Sequence, residues 1–101
     1  MLIVVLFNLK PDASREDYEN WAKTTDIPNV NALGSVHGFS VVKTTGLLGK
    51  DDPAPYEYVE LLHVADMELF GEEVATDTMR RVAGEFQAFA DNPTFMMTEP
   101  L

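Results

Sequence analysis

The sequence contains no cysteine, which excludes disulfide bonds, thiolate metal sites and a cysteine nucleophile. Basic residues are also scarce: 7 Lys and Arg stand against 17 Asp and Glu, which gives a formal net charge of −10. Binding to nucleic acid or to an anionic membrane surface requires clustered cations. We therefore expect neither nucleic acid nor a membrane as a partner.

Long apolar runs are missing as well, since none approaches the roughly 20 residues of a membrane-spanning helix. Residues 2–9 are apolar, but they lack a basic start and a small-residue cleavage site. The sequence has no GxGxxG, P-loop, HExxH or GxSxG motif. Neither histidine, His37 or His63, has a second ligand at a spacing typical of zinc sites. These absences predict a cytoplasmic protein with no cofactor and no metal.

The 101 residues fit one domain, and their pattern predicts strands at 2–9, 36–45, 56–65 and 94–98. Helical spacing predicts one helix over 14–25, ended by Pro28, and a second, interrupted helical segment over 66–91. This βαββαβ order predicts an α+β, ferredoxin-like fold: a four-stranded antiparallel sheet with both helices on one face. Residues 2–9 are apolar on both faces, which is typical of a central strand.

Two helices cover only one face of such a sheet, so the other face would be open. Alternation assigns the following residues to that open face: Leu2, Val4, Leu6, Asn8, Val36, Ser40, Val42, Tyr56, Tyr58, Glu60, Leu62, Val64 and Met96. Most are apolar, and a patch of that size is rarely left in water. We therefore predict a homodimer formed through the sheet face, with Asn8, Ser40 and Glu60 as polar residues inside it.

Glu60 is the leading candidate for a catalytic residue, because burial among apolar residues would raise its pKa toward neutrality. Asn8 would orient a substrate beside it. The alternatives are a Glu60 that is exposed or paired with Lys43, and an Asn8 that caps the turn at Lys10. The same register puts His63 on the helix-facing side. A shift of one residue would exchange His63 and Glu60 between the faces, so His63 is also a candidate ligand contact.

Aromatic residues supply further candidate ligand contacts. Tyr18 and Trp21 share one face of the first helix, where they are either core anchors or one wall of a pocket. Tyr56 and Tyr58 either stack on a ligand or pack across the dimer. Met96 would add an adaptable wall.

Several segments resemble the REDY-like (HapK-type) proteins, which are named after an Arg-Glu-Asp-Tyr string. That string is found here at residues 15–18, and Trp21 and the segment Asp26-Ile27-Pro28-Asn29-Val30 follow it. Residues 33–39 and 56–60 are similar too, so the resemblance covers nearly the whole chain. It implies the dimeric α/β barrel superfamily, whose members are often cofactor-free enzymes or binders of aromatic, polyketide-like or lactone compounds, and some of which bind haem.

The resemblance also draws attention to Asp26. Related barrel families often have a histidine just before the proline that ends the first helical segment, and Asp26 occupies that place here. Acid–base chemistry by a histidine at this position would then be lost. Asp26 joins the candidate ligand contacts.

Two hypotheses for the function follow from the residues and the resemblance. The first is a cofactor-free enzyme of secondary metabolism, of the prodigiosin, other pyrrole-like or aromatic kind. It would carry out proton transfer, isomerisation, cyclisation or oxygenation on a hydrophobic metabolite. The second is a non-catalytic binder or chaperone of a reactive pathway intermediate. A third outcome, a barrel packed solid, would leave no cavity for either.

Overall fold

The computed structural model describes residues 1–101 and contains one four-stranded antiparallel sheet in the order β2-β3-β1-β4. The strands are β1 (Leu2–Leu9), β2 (Val36–Lys43), β3 (Tyr58–Val64) and β4 (Ala90–Met97). The helices are α1 (Arg15–Trp21), α2 (Ile27–Asn31), α3 (Met67–Val74) and α4 (Asp77–Phe89), with a π-helical segment (Ala22–Asp26) between α1 and α2. The strand order confirms the predicted ferredoxin-like fold, with β1 inside the sheet.

The helical region after β1 is longer than the sequence pattern predicts. Ser14 caps α1 as expected, since its hydroxyl accepts a hydrogen bond of 3.2 Å from the backbone N–H of Asp17. The predicted break at Pro28 is wrong. The chain stays helical through the π-helical segment, and Pro28 falls in the first turn of α2, where its missing N–H costs no helical hydrogen bond.

The last strand begins four residues earlier than predicted, at Ala90, directly after α4. Its pairing with β1 is interrupted between Leu6 and Asn8 by a bulge. Asn92 has a φ of 48° there, in the left-handed region that asparagine tolerates better than most residues. The bulge lets Pro93 lie within an edge strand without breaking the ladder.

Burial alternates along β1, where Ile3, Val5, Phe7 and Leu9 are buried beneath the helices. In β3, the buried residues Tyr58, Glu60, Leu62 and Val64 lie on that same helix-facing side, because Glu60 pairs with Val5 and Tyr58 with Phe7. The predicted face assignment of β3 is therefore wrong. Val59, Leu61 and His63 lie on the open face instead, and Glu60 and His63 have exchanged sides.

No helix in the structure combines the length and apolar character needed to cross a membrane.

Candidate functional site

A cavity of about 250 Å³ lies between the helix-facing side of the sheet and the helices. Most of its wall is aliphatic or aromatic. The lining residues are Ile3, Val5, Asp26, Val30, Leu33, Phe39, Glu60, Leu62, Phe70, Val74, Met79, Val82, Ala83, Phe86, Gln87 and Phe95. Ala83, Gln87 and Phe95 are exposed, so the mouth of the cavity lies between α4 and the edge strand β4.

Glu60 projects from the middle of β3 into this cavity. It lies between Val5 of β1 and Val41 of β2, and only 5% of its surface is exposed. Its Oε2 atom is buried and has no hydrogen-bond partner. Burial, together with the negative charge of Asp26, raises the pKa of Glu60 to about 8. The carboxyl group can therefore hold or release a proton near neutral pH.

Asp26 is the last residue of the π-helical segment and supplies the second carboxylate of the cavity, also 5% exposed. The N–H of Ile27 bonds to the carbonyl of Ala22, and this wider turn changes the direction of the side chains that follow it. Burial raises the pKa of Asp26 to about 7. Asp26 and Glu60 are thus two acids in one apolar space, each favoured in its protonated form.

Tyr18 of α1 is completely buried and stands beside this pair. Its ring meets that of Phe7 edge to face, with centroids 5.5 Å apart, and its hydroxyl has no hydrogen-bond partner. Burial raises the pKa of Tyr18 far above its ordinary value, and the nearby charges of Glu60 and Asp26 raise it further. The phenol therefore keeps its proton and remains a hydrogen-bond donor.

Tyr18 and Tyr58 also line a second cavity, of about 230 Å³, between α1, the π-helical segment and the strands β2 and β3. Tyr58 stacks on Phe7 at 5.5 Å, and its hydroxyl donates a 2.8 Å hydrogen bond to Oε2 of Glu19. Lys43 lies 3.7 Å from the other oxygen of Glu19. Tyr58 is therefore a buried partner of Glu19 and does not lie on the open face, where it was predicted.

Asn8 does not meet Glu60, because the two residues lie on opposite faces of the sheet. Its Nδ2 donates to the carbonyl of Pro55 at 3.1 Å, and its Oδ1 accepts from the backbone N–H of Glu57 at 2.9 Å. Both ends of the amide thus hold the connector that leads into β3. Neither of the two roles predicted from the sequence, orientation of a substrate beside Glu60 or capping of the turn at Lys10, includes this contact.

Trp21 packs between the first and last helices. Its ring centroid lies 5.5 Å from that of Phe89, and its indole N–H donates a 2.8 Å hydrogen bond to Oε1 of Glu85. This is the arrangement expected of a core anchor whose polar edge has a partner.

The other predicted contacts lie outside the cavity. Ser40 and Met96 are exposed on the open face, in the row that runs through Leu61 and Val4. His63 is exposed on the same face, beside Leu2. Tyr56 precedes β3, and its carbonyl accepts a 2.6 Å hydrogen bond from Thr44. Of the predicted site residues, the structure therefore brings Asp26 and Glu60 together in the larger cavity.

Sequence reasoning missed the part of the wall that α4 and β4 provide. Met79, Val82 and Phe86 stand out in the sequence as an apolar stripe, and such a stripe indicates packing as readily as a pocket. Gln87 carries no signal of its own, because a polar residue on a helix normally faces solvent. No group of three or more His, Cys, Asp or Glu residues is arranged to hold a metal ion.

Comparison with solved structures places this architecture among the ferredoxin-like proteins. HapK from Hahella chejuensis is 24% identical with a TM-score of 0.73, over 98% of this chain and 93% of that one. The cofactor-independent oxygenase SnoaB from Streptomyces nogalater, in a mutant form, is 13% identical with a TM-score of 0.72, over 99% and 93%. A dimeric ferredoxin-like protein from Thermobifida fusca is 10% identical with a TM-score of 0.70, over 94% and 85%.

The family model of the REDY-like protein HapK matches residues 1–101, and the chain therefore belongs to the REDY-like HapK family. No curated protein sequence is significantly similar to it.

Proposed function

We propose that the protein binds a small hydrophobic metabolite in the cavity between the sheet and the helices, and that Glu60 transfers a proton to or from it. One observation is the main support for this proposal. The Oε2 atom of Glu60 is buried without a partner in a wall that is otherwise almost entirely apolar. A buried polar atom without a partner is costly for folding, and its retention is explained if a ligand supplies the missing partner.

The surroundings of Glu60 suit proton transfer without a cofactor. A general base works best when its pKa lies near the working pH, and burial raises the pKa of Glu60 to about 8. The charge of Asp26 adds to the effect of burial on this pKa, and most of the cavity wall is apolar. Isomerisation, cyclisation and oxygenation of an activated C–H or O–H group all begin with such a step.

The relatives are consistent with this chemistry. SnoaB is described as a cofactor-independent oxygenase, and HapK gives its name to the family to which this chain belongs. We place the metabolite in secondary metabolism, of the pyrrole-like or aromatic kind.

A general probe of proton abstraction tests the role of Glu60 without knowledge of the natural substrate. 5-Nitrobenzisoxazole is small and apolar. When a base removes its C3 proton, the N–O bond breaks and a coloured cyanophenolate forms. We expect catalysis that rises with pH as Glu60 ionises, and a loss of about 100-fold or more in Glu60→Gln, as is typical of a removed general base.

The control for this experiment is Glu68→Gln, which alters an exposed carboxylate of the first turn of α3 and is expected to leave the rate unchanged. Binding of the probe without turnover in the wild-type protein would favour the alternative, a non-catalytic binder or chaperone. Equal rates for the wild-type protein and Glu60→Gln would refute the proposed catalytic role.

We further propose that two copies pair through the open face of the sheet. That face presents apolar side chains to solvent: Val42 is 48% exposed and Met96 39%. Val4, Leu6, Val59 and Leu61 lie between them. A ferredoxin-like relative of the same fold is described as dimeric.

A charge among the exposed apolar residues of this face is expected to separate the copies. Val42→Glu would place a carboxylate against the partner sheet, and the already exposed position should leave the protomer folded. Sedimentation velocity at micromolar concentration should show a dimer for the wild-type protein and a monomer for Val42→Glu. Ala88→Glu on the exposed side of α4 is the matched control and should remain dimeric. A wild-type monomer would contradict the proposed interface.

A further inference from the structure

We propose that α3 is a hinged lid over the larger cavity, held closed by Glu73, and that its opening admits ligands too large for the closed cavity. The lid is inferred from the contacts of α3 alone. Its role in ligand binding rests on the proposed function of the cavity, so the two are tested by different measurements.

The closed cavity is small for a metabolite site. Its volume is about 250 Å³, whereas ligand sites usually enclose about 300–1,000 Å³. An apolar cavity of about 150 Å³ is large enough to hold benzene. A single ring therefore fits the closed form, but a substituted compound with fused rings requires part of the wall to move.

The part of the wall that is free to move is α3. Phe70 and Val74 of this helix line the cavity, but both are only half-buried, and α3 is the only helix in which no residue is buried. In α4, by contrast, Met79, Val82 and Phe86 are buried, and β1 and β3 lie inside the sheet. Segments with few buried apolar contacts open at the lowest cost in free energy, so α3 is the element expected to open first.

One carboxylate fastens α3 to the turn before β2. Oε2 of Glu73 accepts a 2.8 Å hydrogen bond from the backbone N–H of Gly34, and Oε1 accepts one of 2.9 Å from that of Ser35. These are the only side-chain hydrogen bonds between α3 and the rest of the domain. Hydrogen bonds from Ser35 and Gly34 lower the pKa of Glu73, so the carboxylate is ionised at neutral pH and both bonds are charge-assisted. We call this pair of bonds the latch.

Both ends of α3 are attached to fixed points, which makes the short segments beside them hinges. Before α3, the N–H of Ala65 donates a 2.7 Å hydrogen bond to the carbonyl of Ser35. After it, Thr76 caps α4 through its hydroxyl group. Residues 65–66 and 75–76 lie between these points and the helix, at element ends of the kind that absorb hinge rotation. Release of the latch would therefore let α3 swing away from the sheet and enlarge the cavity.

Two neutral probes of different size test the role of the lid in binding. Benzene fits the closed form, whereas Prodan, a substituted naphthalene dye whose emission depends on polarity, requires the open form. A ligand that binds only the open form has a dissociation constant inversely proportional to the open fraction. Glu73→Gln removes the charge of the latch and should raise that fraction about tenfold. The dissociation constant of Prodan should then fall about tenfold, while that of benzene stays unchanged.

The matched control is Glu72→Gln, which neutralises an exposed acid on the same helix and should leave both constants as in the wild-type protein. Prodan binding would be followed by fluorescence, and benzene binding by titration in ¹H–¹⁵N NMR spectra. An excess of benzene should displace the dye, because both occupy one cavity.

Amide hydrogen exchange in the wild-type protein tests the latch itself. The N–H groups of Gly34 and Ser35 are bonded to Glu73 only while the lid is closed. Saturation with Prodan should therefore speed their exchange at least about tenfold, and saturation with benzene should not. The amides of Val82 and Phe86 in α4 should show no such acceleration with either probe, because α4 does not move.

The outcomes separate the lid from the binding site. Equal Prodan affinity in the wild-type protein and Glu73→Gln, or slower exchange of Gly34 and Ser35 with Prodan bound, would overturn the lid. If benzene binds and Prodan binds neither the wild-type protein nor Glu73→Gln, the lid is refuted and the cavity remains a binding site. If neither probe binds, the proposed function is refuted, and the role of the lid in binding with it.

Discussion

Raising the pH from about 5.5 to about 8.5 is expected to lower the free energy of unfolding by several kcal/mol, because two buried acids must then ionise in the folded protein. Burial raises the pKa of Glu60 from its ordinary value of 4.5 to about 8, and that of Asp26 from 3.8 to about 7. At any pH between the ordinary and the raised pKa of these groups, the folded chain holds more protons than the unfolded chain. The stabilisation from the two protonated acids is fully present only below their ordinary pKa values, and it is lost progressively as the pH rises from there through the folded-state pKa values.

The chain has acids that act in the opposite direction, at lower pH. A hydrogen bond from Tyr58 lowers the pKa of Glu19, and hydrogen bonds from Ser35 and Gly34 lower that of Glu73. Their contribution is present above their ordinary pKa and is lost as the pH falls through the lowered values. Stability should thus be greatest near the ordinary pKa values of the carboxyl groups, at about pH 4 to 4.5, and should already be falling at pH 5.5.

Urea unfolding at a series of pH values measures this dependence. In Glu60→Gln with Asp26→Asn, the loss of stability toward alkaline pH should largely disappear, because neither amide ionises. Glu68→Gln with Asp77→Asn neutralises two exposed acids of the same types and should keep the wild-type slope. A wild-type protein that is equally stable at both ends of the range would show that the buried pair does not exist.

Replacement of Phe7 by alanine is expected to destabilise the fold by about 3–5 kcal/mol, as is usual for a fully buried phenylalanine. Phe7 is 0% exposed and lies where the sheet meets α1 and α4. Its ring centroid lies 5.0 Å from that of Phe86 and 5.5 Å from those of Tyr18 and Tyr58. Its removal would leave a void between three aromatic side chains that cannot close without moving the helices.

The matched comparison is Phe95→Ala on the same face of the sheet. Phe95 is 60% exposed, so its truncation should cost less than about 1 kcal/mol by area. The free energies of unfolding from urea titration would be compared at pH 6. If the alanine variant does not fold, Phe7→Leu, which leaves a smaller void, would be measured in its place. Similar losses for Phe7→Ala and Phe95→Ala would contradict the position of the core described above.

The fold could be predicted from the sequence because its main signals agree. Residues 2–9 are apolar at every position except Asn8, and this alone places β1 inside the sheet. The order of strands and helices, with right-handed crossovers, then leaves few arrangements. The helix boundaries were harder to predict from the sequence. Proline usually breaks a helix, but Pro28 is accommodated in the first turn of a new helix.

The face of β3 could not be predicted, for a physical reason. Residues 58–64 are apolar at both parities, so alternation does not distinguish the two sides. The register chosen from alternation put Glu60 on the open face, and a shift of one residue exchanges it with His63. The pairing of Glu60 with Val5 and Val41 decides otherwise, and this pairing depends on contacts far apart in the sequence.

This correction moves the candidate site and changes its members. Asn8 and Ser40, which were expected beside Glu60 between two sheets, lie on the other side of β1 and β2. Asp26 takes their place, because the π-helical segment carries it to the cavity within one protomer. The proposed chemistry therefore depends on two acids of a single chain, whether or not the open face is covered by a partner.

The existence of this buried acid pair is tested most directly by a ¹³C NMR pH titration of the side-chain carboxyl groups of aspartate and glutamate. The resonance that disappears in Glu60→Gln should titrate near pH 8, and the one that disappears in Asp26→Asn near pH 7. If both resonances titrate near the ordinary values of 4.5 and 3.8, the two carboxyl groups are solvated and the proposed site is wrong.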